Sequence, residues 1–379
     1  MWRLLLLVFL WLTMYFVYMK YVIIDGMHNL AVFGWNEKNQ SLWDDMDTHG
    51  NHPARVVADF GTSLKIALPE IRTAELSGRL AHYSRSDEVP KVGDWVSVTI
   101  TENNNATVET VVLRANEIAR KVTGRRTLKQ IIAANVDISF VLLSLDKDFS
   151  VERLKRFLYQ LSVSSVEAII VLNKADKTDV LQSYIKQLES LAVPIIVTTA
   201  TEGIGVDNIL ARISPGKTAI LLGSSGVGKS TLTNKLLGRN LQATKSVRES
   251  DDTGKHTTVH RELFLLPNGG ILIDTPGIRE LQLWGSEEAL DINYDDIATL
   301  AAQCKYSNCR HTSEEGCVVI EALTDGTLNS KHYASFVKMK IELSNLANKN
   351  TEKIRQEKQR VTRQKKNKLN SIHDLNDGF

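Results

Sequence analysis

Cysteine is scarce in this chain: three among 379 residues, all between positions 304 and 317. An odd number confined to one short segment excludes a disulfide-built scaffold and fits metal ligation in a reducing compartment. Net charge is nearly absent as well, at +2. Without a global basic field, any contact with nucleic acid must come from local clusters of charge. The long apolar run, Leu4–Met19 with its continuation Tyr21–Ile24, is followed by no small-residue cleavage site, which argues against a removed signal peptide. Two readings of residues 1–26 stand. They form an uncleaved anchor close to the ~20 apolar residues that span a bilayer, or an upstream extension of the reading frame, with Met27 as the true start. Arg3 and Lys20 flank the run without giving it an orientation, and nothing downstream calls for a bilayer.

What the chain does contain is 43% apolar residues, ample for buried cores, over a length that suggests two or three domains. From Pro53 to Leu113, short β-type runs alternate with turn residues: Arg55–Ala58, Leu64–Leu68, Trp95–Ile100 and Thr107–Leu113. The Val92-Gly-Asp-Trp95 turn leads into alternating Val96, Val98 and Ile100, and Asn103-Asn-Asn105 marks a hairpin tip. About five such strands predict a small barrel of OB type. Arg55, Arg72 and Arg79 are expected on its outside, as a nucleic-acid platform or as solvated charge.

From Asn135 the pattern becomes one of buried strands alternating with amphipathic helices, which predicts a parallel sheet flanked by helices. Strands are expected at Ile138–Leu145, Ala168–Leu172, Pro194–Val197, Thr218–Leu222 and Ile271–Ile273. Ligands of such sheets bind beyond the carboxyl ends of the strands.

One of those ends carries Gly223-Ser224-Ser225-Gly226-Val227-Gly228-Lys229-Ser230, a full match to G-x-x-x-x-G-K-[ST] between a strand and a helix that continues with Thr231. Its backbone N–H groups and helix N-terminus can cradle phosphates, Lys229 reaches the β and γ oxygens, and Ser230 offers a magnesium ligand. The bland reading is a chance glycine-rich turn. Asp274-Thr-Pro-Gly277 ends the next strand, where Asp274 can hold magnesium through water and the Gly277 N–H can sense a γ-phosphate.

Base choice rests on Asn173-Lys174-Ala175-Asp176. The Asp176 carboxylate can accept from guanine N1–H and its 2-amino group, a pair that adenine lacks, and a good bidentate base contact discriminates by about 1–3 kcal/mol. Asn173 is expected to brace neighbouring loops, the Lys174 stem to cover the base plane, and Thr199-Ala200-Thr201 to back the base. A plain N-cap by Asp176 is the alternative. In the order base reader, backing loop, phosphate loop, D-T-P-G, the chain is a circular permutation of the usual GTPase sheet. Joining nearby old termini and cutting elsewhere leaves the spatial arrangement intact. The permutation also attaches the segment Ile278–Trp284 directly to the C-terminal domain, offering a route by which a γ-phosphate signal could enter it.

Cys304-x4-Cys309-x-His311-x5-Cys317 places three thiolates and an imidazole within fourteen residues, a set able to close a tetrahedral zinc shell. With no position left for catalytic water, such a site folds a small segment and does no chemistry. A redox sensor is the alternative. After Ala347 the composition turns polar, and Lys349–Lys368 carries nine Lys or Arg against two Glu, a local net charge of +7. That run is either an RNA-binding arm that becomes helical on contact or a solvated tail.

With Gly254-Lys-His-Thr-Thr258, Asp274-Thr-Pro-Gly-Ile-Arg-Glu280, the Gly-Asp-Trp turn and the cysteine cluster, residues 27–345 resemble the bacterial RsgA (YjeQ) family, circularly permuted GTPases of small-subunit assembly. The resemblance implies a multidomain α/β chain with an N-terminal OB-type β-barrel, a circularly permuted P-loop GTPase domain and a C-terminal helical zinc-binding domain. The corresponding boundaries are 1–26 (extension), 27–117 (barrel), 118–285 (GTPase), 286–347 (zinc) and 348–379 (basic tail). It further implies late maturation of the small ribosomal subunit, with slow intrinsic hydrolysis stimulated by the subunit. GTP/GDP with magnesium, one structural zinc, the subunit with its rRNA, and other assembly factors are the expected cofactors and partners of a cytoplasmic monomer.

Many GTPases position the attacking water with Gln directly after the D-x-x-G glycine. Ile278 stands there and cannot do so. His256 is the candidate water-orienting group, with a subunit or switch-packing contact as its alternative. Thr257 or Thr258 is expected to complete the magnesium shell. The rival class is a membrane-tethered GTP-dependent regulatory switch, separated from the GTPase checkpoint by residues 1–26.

Overall fold

The computed structural model of the chain describes residues 29–376 apart from 47, 49, 62, 69, 83–87, 102–104, 123–127, 147, 239–260 and 276–281. It divides into two compact units, Met1–Ala119 with Gln130–Glu280, and Arg120–Lys129 with Leu281–Phe379.

After the helical elements Asn29–Phe33 and Glu37–Asp44, the first unit forms a closed five-stranded barrel: β1 (His52–Asp59), β2 (Leu64–Leu68), β3 (Glu70–Leu76), β4 (Trp95–Ile100) and β5 (Ala106–Val111). The order is β1-β2-β3-β5-β4, and β4 pairs back onto β1. All ladders are antiparallel except β3 with β5, which run parallel. Alternate residues point inward, so Ala54, Val56, Ile66, Val96, Val98 and Val108 fill the interior with no exposed surface. Strand β3 was hidden in the sequence because only Ala74 of Glu70-Ile-Arg-Thr-Ala-Glu-Leu76 is buried, and its polar residues mask the alternation.

A two-stranded sheet, β6 (Glu117–Lys121) with β7 (Lys129–Ala134), follows the barrel. The chain then builds β8 (Ile138–Ser144), β9 (Glu167–Asn173), β10 (Ile195–Thr198), β11 (Thr218–Gly223), β12 (Arg261–Leu265) and β13 (Ile271–Asp274). Their order is β10-β9-β8-β11-β13-β12, with the first five mutually parallel and β12 antiparallel to β13. Every residue of β8 and β11 is buried, as a central parallel strand covered on both faces demands. The helix Val151–Val163 covers one face through Leu154, Phe157 and Leu161. It starts at Ser150, whose hydroxyl accepts from the Arg153 N–H, and carries Glu152 in its first turn.

Barrel and parallel sheet are one hydrogen-bonded surface, because β1 pairs with β12 through Ala58↔Glu262 and Asp59↔Arg261. Arg55 seals this junction and is 1% exposed. Its guanidinium donates to the carbonyls of Phe33, Gly93 and Asn135 and to Thr218 Oγ1 at 2.9 Å, with the Trp95 ring 5.1 Å away. The expectation that Arg55 lies exposed on a nucleic-acid platform is therefore corrected: its donors are engaged by backbone carbonyls inside the fold. Arg72 is half-buried, and Arg79 alone of the three is exposed, where it donates to Glu109 O and Thr110 Oγ1 at 2.9 and 2.7 Å.

The second unit is helical, with Glu287–Asn293, Asp295–Ala302, Val318–Asp325 and the long Ser330–Asn376. Leu283, Leu290, Ile297, Val319, Met339, Leu343 and Leu346 are among its buried apolar residues. Tyr294 stacks on His332 with ring centroids 5.0 Å apart. The basic segment Lys349–Lys368, read as an arm that becomes helical on contact or as a solvated tail, lies in the 47-residue helix Ser330–Asn376. Among the described residues no helix is long and apolar enough to cross a membrane, and residues 1–26 lie outside them.

Candidate functional site

The parallel register of β8, β9, β10, β11 and β13 brings five carboxyl ends to one edge, and the sequence motifs sit in the loops beyond it. Asn173 is the last residue of β9 and 2% exposed. Its side-chain amide donates from Nδ2 to Val227 O at 2.8 Å, inside the phosphate loop. Its Oδ1 accepts from Thr198 Oγ1 at 3.0 Å and from the Ala200 N–H at 3.1 Å, in the base-backing loop. One buried amide thus ties the Asn173–Asp176 turn to two segments that are 25 and 54 residues away along the chain. Thr199 and Ala200 are buried beside it, and Thr201 is exposed.

Gly228 explains why the loop has glycine where it does. Its φ is +100°, and a Cβ there would sit 2.3 Å from Asn173 Nδ2. Gly223, at φ +149°, would bring a Cβ to 2.7 Å from Leu142 O. Ser224 and Ser230 are half-buried, Ser225 and Gly226 are exposed, Val227 is buried, and Thr231 is half-buried on the helix Lys229–Leu237.

Lys229 is 6% exposed and folds back over the loop, its ammonium donating to Gly223 O at 2.8 Å and Ser224 O at 2.7 Å. Burial pulls its pKa down to about 8, against the opposing pull of the Asp274 carboxylate. A lysine held so close to neutrality gains most from a dense anion such as a triphosphate. Asp274 is 8% exposed at the end of β13, and the next residue, Thr275, donates from Oγ1 to Leu221 O at 2.7 Å, pinning that end to β11.

The turn after Asn173 is more open. Ala175 is half-buried and Asp176 exposed, with its carboxylate 3.4 Å from Lys177 Nζ. Lys174 adopts a left-handed backbone, φ 63° and ψ 43°, and its ammonium lies 2.9 Å from Asp146 Oδ2. Asp146, paired with Lys174, is a residue that the motifs do not reveal. Its position just past the carboxyl end of β8, where ligand loops gather, was the available signal. Gly277, His256, Thr257 and Thr258 lie outside the described residues, as does the first part of the junction that starts at Ile278. Ser230 and Asp274, by contrast, stand at the phosphate end with chemistry that suits magnesium with a nucleotide.

In the second unit, Cys304, Cys309, His311 and Cys317 offer ligand atoms that all lie within 4.8 Å of one another. Cys304 Sγ is 3.9 Å from Cys317 Sγ and 3.7 Å from His311 Nδ1, which is 3.3 Å from Cys317 Sγ. Zn–S bonds of about 2.3 Å in a tetrahedron put sulfurs about 3.8 Å apart, so Cys304, His311 and Cys317 stand at spacings close to those of a zinc shell, with Cys309 beside them. His311 takes a left-handed φ of 57°. Burial lowers its pKa, favouring the neutral imidazole that a metal requires.

The RsgA GTPase family profile matches residues 111–284. The small ribosomal subunit biogenesis GTPase RsgA of Syntrophotalea carbinolica is 36% identical over 327 residues, covering 83% of this chain and 90% of that protein. RsgA 1 of Oceanobacillus iheyensis is 40% identical over 294 residues, 76% of this chain and 84% of that one. Among solved structures, YjeQ from Thermotoga maritima aligns at a TM-score of 0.56 and 25% identity, over 77% of this chain and 98% of that one. YloQ, a circularly permuted GTPase, aligns at 0.52 and 22%, over 79% and 97%. Permuted strand order, phosphate loop, guanine-type turn and Cys3His cluster thus coincide with sequence similarity across most of the chain, which belongs to the RsgA GTPase family.

Proposed function

We propose that this chain binds the small ribosomal subunit and assists its late maturation in the cytoplasm, hydrolysing GTP slowly alone and faster on the subunit. The observation that carries the nucleotide part is Asn173 joining the base-reading, base-backing and phosphate loops through a single buried amide. The names of the relatives support the ribosomal part.

In this reading Asp176 reads guanine, Lys174 and Thr199–Ala200 enclose the base, and Gly223–Thr231 cradles the phosphates. Lys229 leaves the two loop carbonyls for the β and γ oxygens. Ser230, Asp274 and one of Thr257 and Thr258 hold magnesium, which adds positive charge at the phosphates. Gly277 senses the γ-phosphate, and His256 orients water in place of the glutamine that Ile278 replaces. Zinc on Cys304, Cys309, His311 and Cys317 holds the helical unit together. The run Lys349–Lys368 supplies phosphate-neutralising charge toward rRNA.

The test is multiple-turnover GTP hydrolysis with and without purified small subunits, alongside low-salt co-sedimentation with a non-hydrolysable GTP analogue. Stimulation by small but not large subunits, lost in His256→Ala, is the expected result. Equal rates with and without subunits contradict the ribosomal reading, and parental stimulation in His256→Ala contradicts the histidine's role.

A further inference from the structure

The carboxyl ends of β8 and β9 meet in register, Ser144 opposite Asn173, and the Leu145 N–H donates to Asn173 O at 3.0 Å. Asp146 and Lys174 therefore leave the sheet side by side. Three donors fix the Asp146 carboxylate: the Ser144 hydroxyl at 2.6 Å, the Asp148 N–H at 2.9 Å and Lys174 Nζ at 2.9 Å. Ser144 is itself only 1% exposed, so the acceptor is set by the sheet and not by a mobile surface chain. Lys174 holds its place in a left-handed backbone that a side-chain-bearing residue adopts only when its surroundings insist.

We propose that Asp146 is a positioning residue for guanine-nucleotide binding, acting through Lys174. Its carboxylate captures the ammonium at one end of the Lys174 side chain, so the four-carbon stem is stretched out from the base-reading turn before any nucleotide arrives. The inference rests on the reading of Asn173–Asp176 as the base reader. Ordering the stem in advance removes an entropy cost from binding, which appears as tighter affinity for nucleotides that carry a base and not for bare polyphosphate. Burial alone would push the Asp146 pKa up, yet the hydroxyl, the amide N–H and the lysine hold it at about 2. The anchor thus stays charged well below neutral pH.

The pair is partly solvated, with side chains 33% and 30% exposed, so its effect is modest: about twofold to fivefold in Kd. The experiment is a double-mutant cycle on the full chain, measuring Kd for GDP, GTP and ATP and competition by tripolyphosphate in the parent, Asp146→Ala, Lys174→Met and the double variant. The expected result is that Asp146→Ala weakens GDP and GTP alike and leaves tripolyphosphate competition unchanged. In the Lys174→Met background, where the stem remains but the charge is gone, Asp146→Ala adds nothing further. Asp146→Glu restores part of the loss. Parental affinity in Asp146→Ala, or an equal loss in both backgrounds, overturns the proposal while leaving the guanine reading intact. A parent that fails to prefer GDP and GTP over ATP overturns both.

Discussion

Asn173 Nδ2 lies 2.8 Å from Val227 O, so the first residue of the Asn173–Asp176 turn is hydrogen-bonded to the glycine-rich Gly223–Ser230 loop. Fifty-four positions separate them in the chain. Losing this amide leaves Val227 O, Thr198 Oγ1 and the Ala200 N–H without their partner in a buried site, each at a cost of about 1–3 kcal/mol where water cannot enter. Asn173→Ala is expected to lower the stability of the chain by at least about 1 kcal/mol in urea denaturation and to weaken GDP and tripolyphosphate together, because both halves of the pocket shift. Gly228→Ala should reproduce the affinity loss, since its methyl group meets the same amide.

Lys229 gives a pH signature. Its folded pKa is about 8 against an ordinary 10.5, so the unfolded chain keeps this proton across a window in which the native chain has released it. Stability from this group therefore rises with pH between about 8 and 10.5. Nucleotide binding runs the other way, because a triphosphate favours the protonated amine. Calorimetry at about pH 8.5, just above the folded pKa, in two buffers of different ionisation enthalpy should show net proton uptake on GTP binding. Lys229→Arg, whose guanidinium stays protonated, should bind without that uptake.

Arg55 shows where reading the sequence succeeded and where it did not. Apolar alternation located four of the five barrel strands, and glycine, lysine and asparagine spacing located the loops at the sheet edge, because those features depend on neighbours along the chain. An arginine beside Val56 looks the same whether it faces solvent or is buried against Phe33, Gly93, Asn135 and Thr218. The partners lie 22 to 163 residues away, and only the closed barrel brings them together. Strand β12 and Asp146 escaped as well: Arg261-Glu-Leu-Phe-Leu265 buries only Leu263, and Asp146 meets Lys174, 28 residues away, only because β8 and β9 end side by side.

Removing that arginine tests the junction. Arg55→Met keeps much of the volume and deletes every donor, leaving carbonyls of Phe33, Gly93 and Asn135 stranded. A loss of roughly 2–5 kcal/mol is expected, read as a lower urea midpoint with an unchanged slope. Arg79→Met, on the exposed surface, should move the midpoint little.

The Cys3His cluster predicts one tightly held metal per chain. Cobalt substitution should give the visible d–d bands and near-ultraviolet thiolate charge transfer of a tetrahedral site with three sulfur ligands and one nitrogen. Chelation or Cys317→Ser should abolish those bands and melt the helical signal of the second unit first, because zinc supplies folding energy that a small core lacks. Guanine-nucleotide binding by the first unit should persist, separating the structural metal from the reaction.

The central claim is that a guanine-reading turn and a phosphate cradle, in reversed order along the chain, form one pocket. Competitive titration of GTP against ATP at fixed magnesium tests it most directly. GTP is expected to bind at least about fivefold more tightly, as the ~1–3 kcal/mol of a bidentate carboxylate contact to guanine gives, and Asp176→Ala to remove most of that preference. ATP bound as tightly as GTP by the parent chain would contradict it.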